Sequence, residues 1–233
     1  MFGLNAEIQR PVIVTVALLA LVLSGWAIFS NLQSPPRGLP EKKAVQGQGA
    51  ALAQAASEAV ADHGQIVVVT YFVKQSGTPA AVQLNNQWTG FQTALRAHPG
   101  VVVAATERVE LGLDPAEAVA KGMDTASSYL ALVTKYPNAD AFVLLTDAPG
   151  LAPEDLNRLP KRLPKVVTLA NVAGVPNLRR LFAAGVLHAA VLPRWEQPPE
   201  TSKPRTPAEW FARNFIIVTP ATIDRLPPPP VLN

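Results

Sequence analysis

The sequence of 233 residues contains no cysteine. This absence excludes a disulfide framework, a thiolate metal site, a cysteine nucleophile and a lipid-modified amino-terminal cysteine. It does not assign a compartment, although a chain without thiols is compatible with an oxidising one.

Charge is also sparse, at 16% of residues, and the net charge is only +3. Residues 1–43 supply +2 of that total, and the remaining charges of both signs are interspersed. Binding of nucleic acid requires Lys and Arg clustered on one face, and no such cluster is visible. We therefore expect no nucleic-acid partner.

Motifs of catalysis and cofactor binding are missing as well. The three histidines, His63, His98 and His188, lie far apart and lack the spacing of metal ligands. Gly47 and Gly49 resemble the start of a dinucleotide-binding loop, but no strand precedes them and the third glycine is absent. There is no nucleophile elbow, Walker loop or zinc-protease motif. The sequence predicts no metal, no cofactor and no enzymatic activity.

Hydrophobic residues are abundant, at 48%, and one run concentrates them. Residues 11–30 carry no charge, and twenty residues of helix span ~30 Å. A cleaved signal peptide is the alternative, but Val22-Leu23-Ser24, its only tolerable cleavage signal, lies inside the apolar run. We expect an uncleaved transmembrane anchor in contact with the lipid bilayer.

The flanks of this run predict the domain organisation. The positive-inside rule is indecisive, but a short amino-terminal tail and a long following domain favour an amino terminus in the cytoplasm. That orientation predicts an extracytoplasmic domain, which is periplasmic if the source is a Gram-negative bacterium. The Ala-, Pro- and Val-rich residue usage is typical of bacteria, so we expect a bacterial inner-membrane protein with a periplasmic domain. The expected segments are a cytoplasmic tail (1–10), the anchor (11–32), a Pro-rich spacer with an Ala-rich helix (33–64), an α/β domain (65–226) and a Pro-rich tail (227–233).

From residue 65 onward, runs rich in Val and Ile alternate with amphipathic segments. This alternation predicts an α/β fold, a doubly wound and mostly parallel Rossmann-like sheet of about six strands, preceded by a single transmembrane helix. Strands are expected at 65–72, 101–109, 141–146, 165–171, 186–193 and within 209–220. Helices are expected at 44–64, 80–98, 114–135, 151–159 and 175–185.

Three stretches of this domain carry a resemblance: "NNQWTGFQTALRAHPGVVVAATE", "KYPNADAFVLLTDAPGL" and "LPKVVTLAN". Over residues 65–220 the chain resembles one lobe of the type 1 periplasmic solute-binding proteins, the superfamily of the LacI-like sugar-binding regulators. Members of that family close two lobes around a ligand. The resemblance therefore implies that this chain exposes only half of such a cleft.

Ligands of open α/β sheets lie beyond the carboxyl ends of the strands. The polar residues expected at that edge are candidates for ligand binding, and Asp147 also matches an acid of the resembled family. The alternative for Asp147 is a turn residue whose carboxylate accepts backbone N–H groups. The candidate ligand-binding residues are Tyr71, Lys74, Glu107, Asp147 and Asn171.

Three aromatic residues, Trp195, Trp210 and Phe211, flank a Pro-rich segment at 194–208 and are candidates for protein-partner binding. With one lobe and no catalytic motif, the sequence favours a non-catalytic structural or interaction subunit of a membrane protein assembly. The alternative is a solute-binding sensor or transport accessory, for a sugar or an amino acid, that uses the half-cleft.

Overall fold

The computed structural model describes residues 42–74, 76–110, 126–160, 162–171, 174–195 and 204–226. The predicted anchor, the Pro-rich spacer, the first half of the predicted helix at 114–135 and the Pro-rich tail lie outside these residues. Within the described ranges, no helix is long and apolar enough to cross a membrane.

Six strands form one sheet in the order β2-β1-β3-β4-β5-β6. The first five are parallel to their neighbours, and β6 pairs antiparallel with β5. The predicted α/β fold with a mostly parallel sheet is therefore confirmed. The strands are β1 (Gly64–Phe72), β2 (Val101–Glu110), β3 (Ala141–Leu144), β4 (Lys165–Leu169), β5 (Leu187–Pro193) and β6 (Phe215–Val218).

Helices cover both faces of this sheet. Along β1, Ile66 and Val68 face one hydrophobic core, and Val67 and Val69 face the other, because successive side chains of a strand point to opposite faces. The helices are α1 (Lys42–Ala59), α2 (Pro79–Leu95), α3 (Ala126–Lys135), α4 (Pro153–Leu156), α5 (Val175–Ala183) and α6 (Pro207–Asn214), followed by a 3-10 turn (Ile223–Arg225).

The two cores explain the residue usage of the elements. One contains the alanines of α1, Phe91 of α2 and Phe215 of β6. The other contains Tyr129 of α3 and Leu178 of α5. Strand β3 is buried along its whole length between the two cores, which accounts for its unbroken apolar sequence.

Element boundaries depart from the predicted ones at several places. Helix α1 ends at Ala59 rather than at Gly64, because Ala61 and Asp62 have φ of +53° and +61°, outside the helical region. Strand β4 stops at Leu169, two residues before its predicted end. Helix α6 was not predicted. It begins at Pro207 after an N-cap at Thr206, at the end of the Pro-rich segment, and it occupies the first part of 209–220, where only a strand is expected.

Candidate functional site

A cavity of about 170 Å³ lies at the carboxyl end of β1, between that strand, α2 and β2. We call it the β1-edge pocket. It is lined by Thr70, Tyr71, Phe72, Val73, Ser76, Ala81, Leu84, Asn85, Trp88 and Arg108. Ligand sites in open α/β sheets favour this edge, where the carboxyl ends of the parallel strands lie.

Helix α2 supplies one wall of the pocket. The Thr78 side chain accepts a hydrogen bond from the Ala81 amide (3.2 Å), and Pro79 occupies the start of the helix, so the chain turns into α2 directly after the loop that follows β1. Leu84 and Trp88 are four residues apart and therefore share the helix face that lines the cavity.

Strand register brings Arg108 to the pocket. Arg108 pairs with Thr70 of β1, and the next residue back, Glu107, pairs with Val69. Because side chains alternate along a strand, Arg108 lies on the α2 side of the sheet and Glu107 on the α3 side. Arg108 is exposed and makes no ion pair with any residue of the described ranges.

Trp88 gives the pocket an apolar surface of defined orientation. Its ring stacks on that of Phe91, with centroids 5.8 Å apart and 17° between the planes, and Phe91 is fully buried. Outside the lining, just beyond the end of β1, Lys74 pairs with Glu110 at 2.7 Å. The site thus combines a fixed aromatic face with one guanidinium.

The five predicted ligand residues are not gathered in one place. Tyr71 is half-buried and lines the pocket. Lys74 lies just beyond the end of β1, in its ion pair with Glu110. Asp147 and Asn171 are exposed and follow β3 and β4, and neither lines the pocket. The Asn171 side-chain oxygen accepts the Gly174 amide (2.9 Å), which is the hydrogen bond of a turn.

Glu107 is engaged on the other face of the sheet. Its carboxylate accepts hydrogen bonds from Lys135 Nζ (2.7 Å) and from the Tyr136 hydroxyl. These two hydrogen bonds lower the pKa of Glu107, and the bond to Glu107 raises the pKa of Lys135. Ligand binding by all five residues, Tyr71 and Lys74 included, stays a prediction.

Sequence reasoning missed Asn85, Trp88 and Arg108. In the sequence, Trp88 belongs to the apolar face of the helix expected at 80–98, where a large aromatic residue is usually core. For Arg108 the sequence does carry a signal: neighbouring residues of a strand point to opposite faces, so Arg108 and Glu107 are expected on opposite faces of β2. The choice between the two faces nevertheless required knowing which helix covers which face.

The three candidate partner-binding aromatics pack against the domain itself. Trp195 contacts the core shared by α3 and α5, whereas Trp210 and Phe211 contact the core beneath α1 and α2. The Phe211 ring stacks on Phe215, with centroids 5.7 Å apart. These residues therefore lie on opposite faces of the sheet rather than in one patch, and their role toward a partner stays a prediction.

A second, more open groove lies on the outer side of Trp88, between α2 and the first half of β2, with a volume of about 410 Å³. Leu95, Val101 and Val103 give it a mostly apolar lining. The large apolar residues that stand out as exposed in the described ranges are on the same two elements: Val82, Val102 and Val103. We call the groove itself, which Val103 lines, the β2-edge groove.

No group of three or more His, Asp or Glu side chains in the described ranges is arranged to hold a metal ion. Comparison by sequence finds no matching protein-family profile and no matching curated protein.

Comparison by structure finds the same fold in sugar-binding proteins. AraP, an arabinose-binding protein from Geobacillus stearothermophilus, superposes with a TM-score of 0.51 at 13% identity, over 78% of this chain and 62% of AraP. A sugar-binding protein of a sugar ABC transporter from Bacillus halodurans gives 0.50 at 17% identity, over 78% and 64%. This chain thus spans less than two thirds of either protein. The resemblance to one lobe of a periplasmic solute-binding protein is confirmed for the fold.

Proposed function

We propose that the α/β domain is a non-catalytic solute-binding module whose ligand occupies the β1-edge pocket. The observation that carries this proposal is the convergence of Trp88, Asn85 and Arg108 beside the carboxyl end of β1. A fixed aromatic surface with a few directed polar groups is the usual composition of a small-molecule site.

The size and openness of the site limit how tightly it binds. Typical closed ligand pockets enclose roughly 300–1,000 Å³, more than the 170 Å³ of the β1-edge pocket. A half-cleft buries only part of a ligand, so we expect a dissociation constant on the order of 0.1–1 mM for the isolated chain. Such an affinity suits a sensor or a transport accessory that samples abundant solutes.

The fold shared with sugar-binding proteins supports solute binding more than a purely structural role. We further propose that residues 11–30 hold the domain at the outer face of a bacterial inner membrane. A module in that position meets solutes on the periplasmic side and can pass the bound state to a membrane partner.

The proposal is tested by titration of the full-length chain in a neutral detergent. Calorimetry and tryptophan fluorescence are followed against a panel of pentoses, hexoses, sugar acids and amino acids. We expect at least one panel member to bind, and Trp88→Ala to weaken its binding at least tenfold because the ligand loses its apolar contact. Val82→Ala, an exposed change on the same helix outside the pocket, is the matched control.

Two results would contradict solute binding at this pocket. One is that no panel member binds to the wild-type chain at 10 mM, a concentration roughly tenfold above the largest dissociation constant expected. The other is that Trp88→Ala and Val82→Ala bind the ligand equally well.

A second candidate function is a structural or interaction subunit, and the β2-edge groove favours it. Exposed apolar groups on a strand that is at the edge of the sheet among the described residues, as β2 is, are typical of contact surfaces between proteins. Val103→Lys should then reduce the size of the detergent-solubilised assembly on a native gel without changing the circular dichroism spectrum. An unchanged assembly would count against this use of the groove.

A further inference from the structure

The charges around the β1-edge pocket are unbalanced. Among the lining residues that the structure describes, Arg108 is the only charged one, and these residues include no Asp or Glu. The neighbouring acids are engaged elsewhere: Glu107 is held by Lys135 on the opposite face, and Glu110 pairs with Lys74. The Arg108 charge therefore has no carboxylate to neutralise it among the described residues.

A guanidinium in this position recognises one chemical group best. Its planar fork forms two parallel hydrogen bonds with a carboxylate, and such charge-assisted bonds are about twice as strong as neutral ones. The first turn of α2 also lines the pocket through Ala81, and the amino end of a helix favours negative charge. Both features favour a negatively charged group in the pocket.

The rest of the lining defines the body of the ligand. Trp88, Leu84 and Phe72 provide an apolar wall, and Asn85 and Ser76 add side-chain hydrogen-bonding groups at the exposed side. A ring with one apolar face and several hydroxyl groups matches this arrangement.

We propose that the ligand of the β1-edge pocket is a ring-bearing monocarboxylate, with its carboxylate on Arg108 and its ring against Trp88. This inference rests on the solute-binding function proposed above and specifies its substrate class. A neutral sugar leaves the Arg108 charge without a counter-ion. An amino acid or amino sugar brings an ammonium group to a pocket whose described lining has no acid to receive it.

The test uses three ligands with the same ring and different charge: glucuronate, glucose and glucosamine. Each is titrated by calorimetry into the full-length chain in a neutral detergent. Glucuronate is expected to bind at least tenfold more tightly than glucose, and glucosamine more weakly than either. Raising the salt concentration should weaken glucuronate binding and leave glucose binding unchanged, because salt screens only the charged pair.

Variants connect this preference to Arg108. Arg108→Gln should abolish the difference between glucuronate and glucose, and Arg108→Lys should retain part of it, since a lysine keeps the charge but not the fork. The matched control is Arg96→Gln, which removes an exposed arginine that lines the β2-edge groove and should keep the full preference. Circular dichroism verifies that each variant is folded.

The outcomes separate the two proposals. If glucose or another neutral sugar binds as tightly as glucuronate, the monocarboxylate class is wrong. If Arg108→Gln keeps the preference for glucuronate, the placement of the carboxylate on Arg108 is wrong. In both cases solute binding stands. If neither this series nor the wider panel binds, solute binding itself is refuted.

Discussion

Two glycines determine how closely α1 and α2 approach each other. A Cβ atom added at Gly49 would fall on the carbonyl oxygen of Gln87, and one added at Gly90 would fall on that of Gln46. The same crossing carries a hydrogen bond from Gln87 Nε2 to Gln48 Oε1 (2.9 Å). Because the obstructing atoms are backbone, a larger side chain cannot be accommodated by a rotamer change.

Gly90→Ala is therefore expected to destabilise the domain by about 1–3 kcal/mol, although alanine is the better helix former. The displaced helix would also shift Trp88, so ligand binding should weaken in the same variant. Chemical denaturation of the full-length chain measures the first effect. Thr89→Ala, at the exposed neighbouring position, should change stability by no more than about 0.5 kcal/mol. Equal stability of the two variants would show that the helices do not cross this closely.

Glu107 makes the stability of the folded domain depend on pH in the acid range. Its pKa is lowered in the folded protein, so the carboxylate form is favoured by folding. This contribution is fully present above the unfolded pKa, whose usual value is 4.5, and is lost as pH falls through the lower folded pKa. Glu107→Gln should cost about 0.5–1 kcal/mol at pH 7 and much less at pH 3. Urea denaturation of the wild type and the variant at both pH values measures this difference. A larger destabilisation by Glu107→Gln at pH 3 than at pH 7 would contradict this role of Glu107.

At the scale of single elements, helix α6 begins with a capping box in which both hydrogen bonds are present. The Thr206 hydroxyl accepts the Glu209 amide (3.2 Å), and the Glu209 carboxylate accepts the amides of Arg205 (2.7 Å) and Thr206 (3.4 Å). These backbone donors lower the pKa of Glu209. Gly47 of α1 lies directly against Pro207 and Phe211, so the start of α6 is pressed onto α1.

Thr206→Ala should destabilise the domain by about 1 kcal/mol, because the helix loses its N-cap acceptor. Thermal denaturation followed by circular dichroism measures the loss. Ala208→Ser changes an exposed residue in the same turn without removing a cap, and it serves as the control. If the two variants have the same melting temperature, the capping box does not contribute to the stability of the domain.

For the molecule as a whole, the anchor is the prediction with the largest consequence. We expect residues 11–30 to remain in the mature protein and to place the domain on the periplasmic side. Intact mass of the protein from purified bacterial membranes should correspond to the full chain, and protease added to spheroplasts should remove the domain. A mature chain beginning near residue 25, or a domain protected from protease, would contradict the anchor or its orientation.

Much of the architecture could be read from local patterns. The run Ala141–Leu144 is apolar throughout because β3 is buried on both faces. Helix α2 is indicated by four apolar residues at three- and four-residue steps: Leu84, Trp88, Phe91 and Leu95. Both signals reside in adjacent residues, so the period of a strand or a helix is visible without knowledge of its neighbours. The five parallel strands and the fold class follow from such patterns.

The order of the strands and the contents of the site depended on contacts between distant segments. "VVVAAT" in β2 has the composition of a central strand, yet β2 is an edge strand with Val102 and Val103 exposed. Gly47 and Gly49 have the spacing of a phosphate loop, but they create room for α6 and α2. Arg108 rather than Glu107 reaches the pocket because α2 covers one face of β2 and α3 the other. Periodicity tells which residues share a face, and only packing decides what that face meets.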